Sequence, residues 1–375
     1  MDCFFALRRL EEAGFSAYLT SYSALDCYFS RSAFNGSQQV LYLTTNATLA
    51  RIARIFDDLE FGGNPMSDAI TFLRQQKILI RSLDSVGRRR YPFSVLNLQY
   101  DTRREVFLDP LNVYSDLRKR GLISLSTDIE WWYVIAEAAQ VISRYHFTVE
   151  LDHREIPGQA ATVSRMYQRH LLEHILTSPT PAKGLKLLCD SGLINTWWPE
   201  LGAMATVSHT KDYHPEGDVW EHTLATFEHR KSCDLVLSLG LLLHDIGKPY
   251  ATAQKGKRFF AHAEIGARIG QQFLQRLGFS QDLIDSVSFL GRNHMMPAAL
   301  DRVRPQQVER LMESPLFPHL LELYRADMLS TFSSPEPYYQ ACRLYQRYLS
   351  GKALPQRGSQ IIQPRQRLRA RRFRT

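Results

Sequence analysis

The chain has 375 residues, 44% apolar and 22% charged, a composition that excludes a disordered or fibrous protein and predicts two or three globular domains. No apolar run reaches the roughly 18 residues that span a bilayer, and MDCFFALRRLEEAGF opens with acids and arginines rather than a signal peptide, so a cytoplasmic protein with no membrane contact is expected. The net charge of +8 is gathered at one end: RQRLRARRFR, Arg365 to Arg374, holds six arginines, and without them the balance falls to +2.

Residues 1–120 mix helix and strand. Phe4 to Ala13 reads as a short amphipathic helix ending at Gly14. SAYLTSYS and QQVLYLTTN read as strands. Asn46 then takes the place of an N-cap, because Leu49, Ile52, Ile55, Phe56 and Leu59 follow at helical spacing. KILIRSLDSV, YPFSVLNLQYD and REVFLD return to strand character, giving a small sheet with helices packed on it. Arg88, Arg89 and Arg90, ahead of Tyr91 and Pro92, read as loop.

From Asp128 strand signals vanish. DIEWWYVIAEAAQVISRYHF sets Trp131, Trp132, Ile135, Ala138, Ala139, Ile142 and Tyr145 on one helical face. TVSRMYQRHLLEHILTS and AKGLKLLCDSGLI continue as helices, separated by SPTP and broken at Gly192. The pattern stays helical from Pro199 to about Ser333, and SSPEP and GKALPQRGSQ lead into the tail. An arginine run of that kind suits nucleic-acid phosphates, or a solvated tail without a specific role. The five cysteines (Cys3, Cys27, Cys189, Cys233, Cys342) are scattered with no CxxC pair, which fits reduced thiols.

Chemistry concentrates in the second half. LGLLLHDIGKP sets His244 and Asp245 directly after an aliphatic run, where burial of two titratable groups needs compensation. His222, His262, His294 and Asp327 lie on or beside other expected helices. Imidazole and carboxylate together suit a divalent metal, and separate helices of a bundle can point such ligands into one core. Any one of these histidines alone reads as an ordinary surface or capped residue, as do His170 and His229. The ordered set is far more specific than its members.

The order His222, His244-Asp245, Asp327 resembles the HD superfamily of metal-dependent phosphohydrolases. That resemblance implies one or two divalent ions (Mn, Ni, Co, Fe or Mg) on those four residues, with His262 and His294 in the places of extra ligands. It also implies catalytic roles for Asp245, which orients an activated water, and Lys248, which offsets developing charge, with Gly247 making a tight turn.

A second resemblance is wider. HPEGDVWEHTL, RFFAHAEIGA, SPTPAKGLKLLCDSGLINTWWPEL and FTVELD resemble the bacterial tRNA nucleotidyltransferases and poly(A) polymerases, over about residues 10 to 335. It implies an α+β fold, in which a small mixed-sheet nucleotidyltransferase-like head (1–120) precedes a helical neck and body (121–205). The HD domain (206–335) and a helical end with the arginine tail (336–375) would follow. The family's glycine pair, arginine and D-x-D carboxylates fall on Ser21, Tyr22, Leu25, Val40 and Tyr42, although Asp26 remains. Val134 and Glu137 stand where the neck has nucleotide-binding arginines. Valine and tyrosine do not hold magnesium, which takes hard oxygen ligands. The expectation is therefore an HD phosphohydrolase acting on a nucleotide or an RNA-end ester such as a 2′,3′-cyclic phosphate. Its head would be inactive in polymerisation, and its partner would be RNA, possibly tRNA. The alternatives are CCA-adding or poly(A)-polymerase activity, and a non-catalytic RNA-binding protein.

Overall fold

In the computed structural model, the residues described are 4–29, 40–61, 67–73, 76–83, 91–124, 129–149, 163–207, 217–252, 259–331, 334–352 and 354. The arginine tail, Arg88 to Arg90, Cys3 and the end of FTVELD lie outside them.

Helix α1 (Phe5–Glu12) buries Ala6, Leu7 and Leu10 at helical spacing and gives way to β1 (Ala17–Thr20). SAYLTSYS, expected as one strand, divides here: the extended part ends at Thr20, and Ser21–Phe29 forms α2. Ser21 makes the turn with a left-handed φ of +52°, a conformation that costs an L-residue about 1–2 kcal/mol. β2 (Val40–Thr45) follows, then α3 (Leu49–Ile55). Thr48 caps α3, accepting the Arg51 amide, whereas Asn46 is held elsewhere by the Ser16 amide at 2.8 Å. The expected cap is thus displaced by two residues.

β3 (Leu59–Glu60), β4 (Ala69–Leu73) and β5 (Gln76–Ser82) complete one side of the sheet. Within YPFSVLNLQYD, residues Ser94–Asn97 form a 3₁₀ turn, and β6 (Gln99–Asp101) is extended. β7 (Val106–Leu108) ends the sheet and α4 (Tyr114–Lys119) leaves it. The strand order is β3-β4-β5-β2-β1-β6-β7; β2 and β5 run parallel and the other pairs antiparallel.

Period-two alternation sorts this sheet into two faces. Leu41, Leu43, Ala69, Ile78 and Ile80 join α1 and α3 in one core. Tyr42, Ile70 and Leu79 point the other way, into a core continuous with the helices. Tyr42 therefore faces the neck because it sits between two outward leucines.

The neck begins with α5 (Trp131–Tyr145). It is buried almost all round, from Trp132 to Ser143, rather than on one face as the sequence pattern suggests. Ser164 caps α6 (Arg165–Leu176), and Pro181 opens α7 (Pro181–Asp190). The short α8 (Leu193–Trp197) and α9 (Pro199–Gly202) follow the break at Gly192. Asp218 and Asp234 cap α10 (Val219–Thr226) and α11 (Leu235–Leu243). The rest of the bundle is α12 (His262–Arg276), α13 (Gln281–Asn293), α14 (Pro305–Met312), α15 (Phe317–Leu329) and α16 (Glu336–Leu349). Among the described residues no helix is long and apolar enough to cross a membrane, and Cys27, Cys189, Cys233 and Cys342 are free thiols.

Candidate metal centre and the head–neck junction

Leu239 to Leu243 carry α11 through the core, so the chain delivers His244 and Asp245, 1% and 2% exposed, to the buried end of that helix. His222 comes from α10, His262 from the first turn of α12, His294 from the end of α13 and Asp327 from α15. The structure brings all six together. His222 Nε2 lies 3.0 Å from Asp327 Oδ1 and 3.8 Å from Asp245 Oδ2, and His244 Nε2 lies 3.3 Å from that same Asp245 oxygen. On the other side, His262 and His294 Nε2 lie 3.6 and 3.8 Å from Asp245 Oδ1, and 3.2 Å from each other. Asp245 thus belongs to two groups of ligand atoms, one with His222 and His244 and one with His262 and His294.

The outer edges of the four rings explain what the inner edges need. Nδ1 of His244, His262 and His294 meets the carbonyls of Leu241, Phe259 and Gly291 at 2.8, 3.0 and 2.7 Å. A carbonyl only accepts, so Nδ1 carries the proton in each ring and a neutral ring leaves a lone pair on Nε2. The Ser330 hydroxyl donates to the Asp327 carbonyl, which leaves its oxygen to receive His222 Nδ1. Outer hydrogen bonds of this kind orient imidazoles for a metal.

Inside, His244 Nε2 is buried without a hydrogen-bond partner. Two lone pairs face each other between His262 and His294, whose ionisation burial suppresses, taking His294 down to about 4. A divalent cation resolves both problems, so the residues fit a metal. Burial works against charge on Asp245, but Lys248 and then His244 outweigh it and hold the carboxyl well below the usual range. The Asp327 carboxyl is likewise held below the usual range against its burial, beside the imidazoles of His222 and His244. His262 and Asp327, 15% and 19% exposed at the side chain, form the side open to solvent.

Lys248 pairs with Asp245 Oδ2 at 2.5 Å and lies over the Phe259 ring. Gly247 lies in the turn after α11, as expected, but its φ is an ordinary −81°, so the turn itself does not call for glycine. A Cβ there would stand 2.1 Å from the His262 carbonyl and 2.5 Å from the Gly266 amide. Glycine is needed because α12 crosses it at backbone contact, which is what brings His262 to Asp245.

Sequence reasoning missed a second polar cluster, between the sheet and the neck. Tyr22 donates to Glu137 at 2.6 Å, and Tyr167 and Gln140 donate to the other carboxyl oxygen at 3.1 Å. The Tyr42 hydroxyl meets His170 Nε2 at 2.7 Å. His170, expected at the surface or in a cap, is buried, and burial lowers it to about 3. Two turns along α5, Arg144 forks onto both oxygens of Asp26 at 2.9 and 2.7 Å, and Tyr145 donates to Asp26 at 2.7 Å. Val40 and Tyr42 present no carboxylate, so β2 does not fit magnesium.

Residues 219–331 match the family model of the HD domain. A CC-adding tRNA nucleotidyltransferase of Thermus thermophilus is 32% identical over 196 residues, 50% of this chain and 44% of that protein. An A-adding tRNA nucleotidyltransferase of Deinococcus radiodurans is 28% identical over 268 residues, 65% of this chain and 59% of that protein. The chain thus spans about half the length of these curated relatives. Among solved structures, the Bacillus stearothermophilus CCA-adding enzyme in complex with CTP matches with a TM-score of 0.52 at 16% identity, over 94% of this chain and 83% of that one. A tRNA nucleotidyltransferase complexed with a primer tRNA and an incoming ATP analog gives 0.52 at 13% identity, over 92% and 98%. At these identities the likeness establishes the fold. The relatives correct the expectation of a phosphohydrolase, because their names are those of nucleotide-adding enzymes. They equally favour nucleotide transfer over a head that has lost it. The chain carries an HD domain and is related to the bacterial tRNA nucleotidyltransferases, whose mixed-sheet head and helical body it shares.

Proposed function

We propose that this chain is an enzyme of tRNA processing in the cytoplasm, a nucleotidyltransferase acting at the tRNA 3′ end. The observation that carries this reading is the run of relatives named for adding C or A to tRNA, one of them matched over 65% of the chain. The sheet-and-helix architecture supports it, since a nucleotide and a primer tRNA are bound by proteins of the same fold.

One specific observation favours a second reading, a protein that binds tRNA without extending it. β2 offers Val40 and Tyr42 where the resemblance implies two magnesium carboxylates, and the Tyr42 hydroxyl is engaged by His170. Full-length protein incubated with magnesium, labelled CTP and ATP, and tRNA transcripts truncated before their last three nucleotides separates the two. Label entering the tRNA supports the first reading. Tight tRNA binding with no label supports the second, and neither binding nor label overturns both.

The HD centre is the second part of the proposal. His222, His244, Asp245 and Asp327 would hold one divalent ion, and His262 and His294 would join Asp245 around a second. Four imidazoles favour manganese, iron, cobalt or nickel over magnesium, which prefers an all-oxygen shell. Such an ion would neutralise the two carboxylates and tie together the ends of α10, α11, α12, α13 and α15.

A further inference from the structure

The head–neck cluster contains a group that the reading above does not use. Glu137 is fully buried on α5, and its three hydrogen-bond donors come from three elements: Tyr22 on α2, Gln140 on α5 itself and Tyr167 on α6. None of them carries a positive charge. Among the described residues no ion pair to Glu137 occurs, and the nearby Arg144 is committed to Asp26. We propose that Glu137, Tyr22 and Tyr167 form a proton-controlled latch that fixes the sheet to the neck helices and loosens when the Glu137 carboxyl gives up its proton.

The groups around the latch isolate Glu137 as the one that changes charge near neutrality. From α2 comes Tyr22, with Asp26 one turn on, already paired. From β2 comes Tyr42, and Tyr91 lies beneath the Arg81 guanidinium. On α5 itself stand Tyr133, Gln140 and Arg144. From α6 come Tyr167, His170 and His174, the last packed edge-on against Tyr22 with ring centroids 4.6 Å apart. Burial holds Tyr22, Tyr42, Tyr133 and Tyr167 well above the ordinary phenol range, so they stay protonated. Burial also keeps His170 and His174 neutral. For Glu137, burial outweighs the hydrogen bonds from Tyr22, Tyr167 and Gln140 and lifts the carboxyl from 4.5 to about 7.

The three donors serve the charged form, so with the proton on one tyrosine hydroxyl turns to accept from the carboxyl, and the cluster is neutral. With the proton off, a carboxylate sits among phenols with no cation to meet it, a state that water entry relieves. The closed state therefore keeps a proton that the opened, solvated state releases. Opening becomes easier as pH rises from about 4.5 to about 7, by up to about tenfold per pH unit, and levels off above that window.

Hydrogen–deuterium exchange of the α2 and α5 amides in the full chain tests this. Corrected for the intrinsic pH dependence of exchange, opening should be about tenfold more frequent at pH 6.5 than at pH 5.5. Glu137→Gln, which keeps the shape and cannot ionise, should give no such rise. An equal rise in both proteins overturns the latch. A second measurement stands if that variant folds poorly: the infrared carbonyl band of a buried protonated carboxyl should fade in the wild type as pH passes about 7. Tyr22→Phe removes a donor to the charged form and should move that fading to higher pH. A band already absent at pH 5.5, or a midpoint that Tyr22→Phe leaves in place, overturns the proposal.

Discussion

Glu137 and Asp245 are both carboxyls buried among rings, yet the first is lifted to about 7 and the second is held well below the usual carboxylate range. The difference lies in the neighbours. Phenols and an amide surround Glu137 and donate hydrogen bonds without bringing charge. A lysine and four imidazoles surround Asp245, and a charged carboxylate is stabilised there against the cost of its burial. In the junction cluster phenols, two carboxyls, a guanidinium and the His170 imidazole bond to one another, while Gln140 Oε1 and His174 Nδ1 are buried without a partner. At the HD centre the hydrogen bonds lie on the outer edges of the rings, and the inner nitrogens face each other across about the width of a cation. One cluster fastens two parts of the protein. The other is arranged around something that must be added.

The largest effects should come from breaking the junction cluster. Arg144→Ala leaves Asp26 buried beside Tyr145 without its fork, and should cost about 3–5 kcal/mol in chemical denaturation. The Glu137 proton gives the next effect. A carboxyl lifted to about 7 is still protonated in the folded chain where the unfolded chain has ionised, so its contribution is complete below about 4.5. That contribution falls by about 1.4 kcal/mol per pH unit up to about 7. His170 acts in the opposite direction: its neutral folded form, lowered to about 3, loses stability as pH drops below 6.5. Total stability therefore mixes two slopes, and the difference between wild type and Glu137→Gln isolates the first.

The HD centre should respond to what is added rather than to pH alone. Manganese at about 100 times its dissociation constant should raise stability by about 2.7 kcal/mol, while the junction variants should keep that gain. The smallest effect is local. Ser21 combines a left-handed φ with a buried hydroxyl that lacks a partner, so Ser21→Gly should stabilise the chain by about 1 kcal/mol. A loss of stability on that change would show that the turn is held by contacts on Ser21 itself.

The two clusters also differ in how far the sequence discloses them. Metal ligation admits few residue types, so His222, His244-Asp245 and Asp327 stand out in order along the chain. Their convergence with His262 and His294 rests on helix crossings, among them the backbone contact at Gly247, that no spacing encodes. Glu137 and Tyr22 lie 115 positions apart and belong to types found in any core. His170 reads as an ordinary histidine because the tyrosine it meets is on a strand 128 positions away. The strand signal of SAYLTSYS overrides the break at Ser21, since the turn there uses a serine in a conformation that glycine would have announced. The sheet and the helical body are otherwise legible from alternation and helical spacing. The complete HD motif points to a phosphohydrolase, whereas the relatives are named for nucleotide addition.

The most direct test of the contrast is metal content. Full-length protein, stripped with a chelator, equilibrated with manganese and passed through a desalting column, should retain one or two equivalents. Asp245→Ala, which removes the carboxylate shared by both ligand groups, should retain almost none, and Glu137→Gln should match the wild type. Retention by Asp245→Ala equal to wild type, or no retention by the wild type, would contradict the account of the HD centre as a site arranged around a cation.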